Sequence, residues 1–246
     1  MDRRIYLSSP CMCGEEQKYV QEAFDTNWVA PLGKNVNEFE NVIKEYVGTK
    51  GAVAMSAGTA AIHMALRALG VGQGDIVFCQ SMTFSASANP IIYQNGIPVF
   101  IDSEPDTWNM SPDALRRAFE KYPNPKAVVL VHLYGTPAKL DEIMEICAEH
   151  NVPVVEDAAE GLGGEYKGKK LGSFGDYGIL SFNGNKIITT SGGGMLVGND
   201  EERLKTVLKW ITQSREPARW YEHKELGYNY QVGGQAVLGR QPMGTN

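Results

Sequence analysis

Cysteine is scarce in this chain, with four thiols among 246 residues, at positions 11, 13, 79 and 147. So few cannot staple a fold of this length, and the Cys11-Met12-Cys13 spacing lacks the two-residue gap of a redox or zinc pair. A reducing compartment, the cytoplasm, is expected. Long apolar runs are missing too. The longest uncharged stretch, 76–101, exceeds a membrane span in length, but Gln80, Ser81, Asn89, Pro90, Gln94, Asn95 and Pro98 interrupt it. No helix of about 18 apolar residues can be drawn through it, which argues against a membrane protein. The opening MDRRIYLSSPCMC has basic residues with no apolar segment behind them, so it does not read as a secretory signal. Basic runs are also absent: 23 Lys and Arg face 29 Asp and Glu, for a net charge of −6, which points away from nucleic acid. The four histidines, 63, 132, 150 and 223, stand apart from cysteines and carboxylates at ligand spacing, so no metal site is expected. No nucleophile elbow of the G-x-S-x-G type occurs.

What remains is an ordinary globular composition, 43% hydrophobic and 21% charged with 27 glycines. Its length suits one large domain, or a domain with a fragment of another. Short apolar runs at 51–55, 75–80, 97–101, 127–132 and 153–157 alternate with stretches of helical period at 15–26, 59–69, 140–150 and 200–211. That alternation predicts an α/β fold with a mostly parallel central sheet flanked by helices. Asp200 is placed to cap the last helix. Between 157 and 200 the crossovers give way to glycine-rich turns around two further short strands, 177–182 and 194–197.

Three segments could carry chemistry. Ser56-Ala57-Gly58-Thr59 stands where a strand hands over to a helix, where unpaired N–H groups and the positive dipole end make a phosphate cradle. The alternative is a plain Ser or Thr helix cap. Glu156-Asp157-Ala158-Ala159-Glu160 follows a strand, at the end of the sheet where α/β folds bind ligands. Those carboxylates suit acid/base work or pairing with a protonated ring nitrogen, or simply enrich a helix start in acids. Lys186 lies in SFNGNKIITTSGGG with no other charge from 187 to 199. Partial desolvation there would favour a nucleophilic free amine, though an ordinary lysine beside a glycine turn has the same sequence. Gly163 to Lys170, GGEYKGKK, mimics a phosphate loop but has lysine where Ser or Thr must meet magnesium, so a basic hairpin is predicted.

Taken in order, these segments resemble the DegT/DnrJ/EryC1/StrS sugar aminotransferases, which use pyridoxal 5'-phosphate on the fold-type-I aminotransferase scaffold. The resemblance runs from about Ile5 to Tyr230 through LSSPCMCGEE, TNWVAPLG, SAGTAAIHMAL, MTFSAS, PVFIDSEPDTWN, VHLYG, VEDAAEGLGGEYKGKKLGSFGD and SFNGNKIITTSGGGML. It implies that Lys186 is the catalytic amine that bonds the cofactor. It also implies that Asp157 pairs with the pyridinium nitrogen and that Phe84 stacks on the ring. Gly58, Thr59 and Ser181 would contact the phosphate, with Glu160 and Asn183 near the cofactor. Trp28, Ala30 and Pro31 would lie near a nucleotide-sugar substrate. The implied reaction is ping-pong: L-glutamate gives up its amine and leaves as 2-oxoglutarate, and the 4-keto group of a nucleotide-linked 6-deoxy sugar, expected to be UDP-linked, accepts it. The product would serve cell-surface polysaccharide or glycan synthesis. SFNGNKIITTSGGGML looks especially like the bacillosamine-type branch. Family enzymes are homodimers with shared active sites, and those with histidine in place of the lysine perform dehydration instead.

After Tyr230 the family pattern gives way to QVGGQAVLGRQPMGTN. The expected organisation is a cofactor-binding large domain over 1–230 and a divergent tail over 231–246, standing where relatives begin a smaller second domain, as a frameshift near 231 would produce. The competing reading is a catalytically impaired cofactor-binding fragment, or a non-catalytic partner of a full-length relative.

Overall fold

The computed structural model describes residues 9–214. The expected boundary at 230 and the tail 231–246 lie outside the described residues.

Each parallel strand is a five-residue apolar run or shorter: β1 (Gly51–Met55), β2 (Ile76–Gln80), β3 (Ile97–Ile101), β4 (Ala127–Val131), β5 (Val154–Asp157) and β8 (Tyr177–Ser181). A two-stranded hairpin, β6 (Glu165–Tyr166) and β7 (Lys169–Lys170), precedes β8, and β9 (Gly194–Gly198) follows it. The large sheet has the order β1-β9-β8-β5-β4-β2-β3, with β9 antiparallel to both of its neighbours and every other ladder parallel. The predicted mostly parallel sheet is therefore present. The hairpin predicted at GGEYKGKK is β6–β7, and its turn residues Lys167 and Gly168 both have positive φ, as a type I′ turn requires.

Helices cover both faces. On one side, α3 (Gly58–Ala68) and α7 (Glu201–Ile211) bury Ala61, Met64, Leu204 and Val207 against Val77, Val129, Val155 and Ile179. On the other, α2 (Lys34–Val47), α5 (Pro112–Lys121) and α6 (Leu140–Glu149) bury Val47, Leu115, Phe119, Ile143 and Ile146 against Phe78, Val128, Leu130 and Val197. Alternate residues of one strand thus feed opposite cores, the period-two rule of a sheet covered on both faces. Two further helices are α1 (Glu16–Asp25) and the short α4 (Asn89–Tyr93).

Helices α2, α4 and α5 went unpredicted. In α2 three asparagines dilute the helical signal and Gly33 offers no capping side chain. In α5 the signal was present: Ser111 caps Ala114 N–H at 3.2 Å, Pro112 opens the helix, and Leu115 and Phe119 lie four apart on its buried face. Asp200 caps α7 as expected, accepting from Arg203 N–H at 3.0 Å. Strand β4 ends one residue earlier than predicted because His132 (φ −102°, ψ 84°) turns the chain into a single 3-10 turn.

Tight backbone packing fixes the central strands. A Cβ added at Gly178 would lie 1.9 Å from the Gly172 carbonyl oxygen, a backbone atom that cannot swing aside. Overpacking costs about 1–3 kcal/mol where side chains can adjust, so Gly178→Ala should lose at least ~3 kcal/mol in urea denaturation. Gly72→Ala is the control, since its Cβ meets only Asp75 Oδ2, at 4.0 Å, and it should stay within about 0.5 kcal/mol of wild type. Equal losses in the two variants would contradict the packing account.

Candidate functional site

The site grows from the carboxyl end of β5. Because side chains alternate along a strand, Glu156 and Asp157 point to opposite faces, each continuing the row begun by Val154 or Val155. Glu156 is fully buried on the α6 side. Its Oε1 accepts from His132 Nε2 at 2.8 Å and from Gly172 N–H, and its Oε2 from Phe174 N–H at 2.8 Å and Gly175 N–H at 3.1 Å. Burial alone would raise this carboxyl, but the hydrogen bonds from His132, Gly172 and Gly175 outweigh it and hold the group below its ordinary value. His132 Nδ1 accepts from Ala138 N–H at 3.1 Å, which assigns the ring proton to Nε2, facing Glu156. One buried carboxylate therefore ties the 132–138 loop to the 172–175 loop.

Asp157 faces the α3 side and is also buried. Its Oδ2 accepts from Ser87 Oγ at 2.7 Å and its Oδ1 from Ala159 N–H at 3.2 Å. The Ser87 hydroxyl, which donates to Asp157, is 2.7 Å from Thr83 Oγ1 and accepts from it. Burial raises the Asp157 pKa, against the hydrogen bonds from Ser87 and Ala159 and the charge of Lys186. Each carboxylate oxygen retains acceptor capacity. A cationic N–H donor brought to this group would restore the ionised form that burial disfavours.

On the same face β1 hands over to α3. The helix N-cap is Ala57, whose side chain cannot cap, so the first-turn N–H groups beginning at Gly58 and Thr59 are left for an external acceptor. The simple Ser or Thr cap is thus not what the structure shows. Glycines bring neighbouring backbone against this turn. A Cβ at Gly194 would meet Ala57 C at 2.3 Å and Gly58 N at 2.4 Å, and one at Gly58 would meet Ser181 Cβ at 3.2 Å. Ser181, at the end of β8, is therefore beside Gly58.

Lys186 hangs from the loop between β8 and β9. Phe182 anchors that loop: it is buried, its ring centroid is 4.9 Å from that of Phe39, and its backbone pairs with Gly193 and Thr190. Asn183 C=O accepts from Lys186 N–H at 3.0 Å, while the Asn183 side chain is exposed and bonds Asn185. Lys186 is partly withdrawn from solvent, but its amine is paired. Its Nζ is 3.0 Å from Glu160 Oε1, and Glu160 Oε2 accepts from Tyr134 N–H at 2.9 Å. Phe84 is 78% exposed, three residues before the Ser87 that touches Asp157.

The structure thus gathers Gly58, Thr59, Asp157, Glu160, Ser181 and Lys186 at the carboxyl ends of β1, β5 and β8, with Phe84 at that of β2. It does not bring in the 26–33 loop. Trp28 Nε1 donates to Leu32 C=O at 2.7 Å, folding the ring over Gly33, and Ala30 and Pro31 are exposed. Among the described residues this loop has no hydrogen bond to the cluster. Ser87, Thr83 and His132 were not foreseen. An open acidic depression lined by Asp176, Asn199, Asp200 and Glu202 lies at the amino ends of the strands, away from this chemistry. No group of three or more His, Cys, Asp or Glu placed to hold a metal occurs among the described residues. No described helix is long and apolar enough to cross a membrane.

Fold and site together define an α/β domain that gathers an uncapped helix N-terminus, a buried carboxylate with acceptor capacity and a lysine amine at one end of its sheet. The chain belongs to the DegT/DnrJ/EryC1/StrS aminotransferase family, whose model matches residues 10–244. It is 59% identical over 236 residues to EpsN of Bacillus subtilis (strain 168), which carries the name of a pyridoxal phosphate-dependent aminotransferase; the match covers 94% of this chain and 61% of EpsN. It is 42% identical to the GDP-perosamine synthase of Caulobacter vibrioides, covering 96% of this chain and 63% of that protein. Among solved structures, the aminotransferase from Psychrobacter cryohalolentis superposes with a TM-score of 0.85 at 32% identity, covering 93% of this chain and 60% of that one. The chain therefore spans about three fifths of the length of these relatives.

The Glu156 node makes a pH prediction. A carboxyl held below its ordinary 4.5 in the fold contributes stability that is fully present above 4.5 and is lost as pH falls through the lower folded value. Glu156→Gln leaves at least one donor facing an amide NH2, so it should lose about 1–3 kcal/mol at pH 7. It should also flatten the fall in stability below pH 4.5, because the titrating group is gone. Urea titrations at pH 7 and pH 4 check both; a variant whose deficit is the same at both values would refute the assignment.

Proposed function

We propose that this chain is the cofactor-binding domain of a pyridoxal 5'-phosphate-dependent sugar aminotransferase, which moves the amino group of L-glutamate to the 4-keto group of a nucleotide-linked 6-deoxy sugar. The observation that carries this reading is the placement, around one end of the sheet, of a buried carboxylate with acceptor capacity, an uncapped helix N-terminus and a lysine amine. Those residues fit the cofactor. The first turn of α3, with Gly58, Thr59 and Ser181, would hold the phosphate. Asp157 would accept the ring N–H, and Phe84 would cover a ring face. When bound, pyridoxal phosphate supplies the electron sink that lets a carbon next to nitrogen give up a proton.

This chain's own residues do the rest. Lys186 would hold the cofactor through Nζ, its amine condensing with the aldehyde with loss of water, and the same nitrogen, once free, would carry the proton to and from carbon. Glu160 holds that nitrogen in one place through Oε1, and Asn183 fixes the backbone turn from which the lysine projects. Ser87 and Ala159 N–H orient Asp157. Trp28, Ala30 and Pro31 belong to the loop that we assign to the sugar nucleotide, which requires the loop to move toward the cluster or to serve a neighbouring copy. A homodimer with shared sites is the assembly proposed. Helix α1 supports it, burying none of its residues and exposing Tyr19, Val20 and Phe24. The expected compartment is the cytoplasm, in keeping with four free thiols, of which buried Cys79 and Cys147 are pushed up to about 12 by burial. UDP is the expected carrier, and the amino sugar would enter cell-surface polysaccharide or glycan synthesis. A GDP-linked acceptor is the second reading, favoured by the relatives named GDP-perosamine synthase.

The purified protein should take up pyridoxal phosphate with a visible absorbance band that Lys186→Ala abolishes, and Asp157→Asn should weaken uptake at least about tenfold, the loss of a charge-assisted contact. Glutamate alone should then convert the bound cofactor spectroscopically. UDP- and GDP-linked 4-keto-6-deoxy sugars compared side by side identify the carrier. An unchanged spectrum in Lys186→Ala would sink the cofactor assignment; a normal spectrum with no response to glutamate would make the chain a non-catalytic binding fragment.

A further inference from the structure

Tyr134 is held in a conformation that its own packing does not explain. Its backbone is left-handed (φ 51°, ψ 28°), a region that non-glycine residues enter at an energetic cost, and its side chain is 83% exposed. Its ring makes no aromatic or cation contact among the described residues. The loop is nevertheless gripped on every side. Buried Asn109 accepts from Leu133 N–H at 2.9 Å and donates to Thr136 C=O at 2.9 Å, and Gln80 Nε2 lies 3.3 Å from the same Asn109 oxygen. His132, one strand end away, is locked by Glu156. The next residue, Gly135, also has positive φ, and a Cβ there would meet Glu160 C=O at 2.7 Å. A buried amide pair, a buried His–Glu pair and a required glycine all serve to present one exposed aromatic ring.

The backbone beneath that ring is tied to Glu160, whose two oxygens take Tyr134 N–H at 2.9 Å and Lys186 Nζ at 3.0 Å. The tyrosine backbone and the reacting amine are thus joined through a single carboxylate. Strain that packing does not repay, at a residue one carboxylate from the chemistry, is the signature of a group kept for a ligand.

We propose that Tyr134 positions the amino acceptor, its ring forming a wall against the sugar of the nucleotide-linked substrate. The sugar is favoured over the nucleotide base because the carbonyl carbon to be aminated must approach the amine, and Tyr134 lies within one side chain of it. This rests on the acceptor class argued above.

The test uses the cofactor-loaded protein and three variants. Tyr134→Ala should lower affinity for the accepted nucleotide-linked 4-keto sugar at least tenfold in calorimetric titration, while the cofactor absorbance band and the rate of the glutamate half-reaction stay within twofold of wild type. Tyr134→Phe should stay within threefold of wild type in sugar affinity, since it keeps the ring. Tyr134→Gly removes the backbone strain and should raise the thermal midpoint while losing sugar affinity as Tyr134→Ala does. Unchanged sugar affinity in Tyr134→Ala would overturn the proposal, as would parallel loss of cofactor and sugar, which marks a structural role. A wild type that loads cofactor and reacts with glutamate but binds no nucleotide-linked sugar would sink the acceptor assignment itself, and this inference with it.

Discussion

The arrangement depends on one constraint: consecutive residues of a strand face opposite ways. At the end of β5 that rule divides two adjacent carboxylates. Glu156 goes to the α6 face, where four donors hold it ionised, and Asp157 goes to the α3 face, where burial pushes it toward protonation. The first ties two loops together, and the second keeps acceptor capacity on the crevice side. Neither could take the other's place, since a one-residue slip of β5 would send the loop anchor to the α3 face and Asp157 to the α6 face. Ion-like groups buried this deeply are stable only when their hydrogen bonds are complete, and the 132–138 and 172–175 loops supply those bonds to Glu156. The loops are fixed because the carboxylate needs them, and the carboxylate stays charged because the loops are there.

The second constraint is backbone proximity. Strand β9 runs antiparallel in an otherwise parallel sheet, so its first residue, not its last, lies at the ligand end. That brings Gly193 beside Ala57 and Gly194 against the start of α3, closer than any side chain would allow. The glycine run after Lys186 therefore does two things. It lets the chain leave the lysine loop and enter the sheet, and it seats the uncapped helix turn next to Ser181. The helix dipole, the serine and the lysine loop owe their adjacency to one reversal of strand direction.

Much of this was legible in the sequence, for physical reasons that differ by element. The parallel strands are short continuous apolar runs because both faces are covered, and such runs stand out against amphipathic helices. Asp157 and Lys186 were visible because each breaks its surroundings: acids at the close of an apolar strand, and a lone charge in a glycine-rich stretch. Ser87, Thr83 and Asn109 were not visible, since their significance lies in partners 70, 4 and 24 residues away, and no local pattern marks a serine that will meet an aspartate across the sheet. Tyr134 sat in a motif noted only for its resemblance, because its strain is a property of φ and ψ. The lysine's partner escaped notice for a related reason. A stretch without charge in sequence says nothing about a carboxylate arriving from another loop, and Glu160 is that carboxylate.

Net charge supplies the last step. A chain at −6 is a poor attractor for a phosphorylated cofactor and a nucleotide diphosphate if charge is averaged over its surface. Within the cluster the charges are matched one by one. The α3 N-terminus carries about half a positive charge into the cluster, Asp157 keeps acceptor capacity beside its Ser87 hydrogen bond, and Glu160 pairs with the Lys186 amine. Glu160 is shared between the Tyr134 N–H and the Lys186 amine, so the loop after β4 and the loop after β8 are held to each other through one carboxylate.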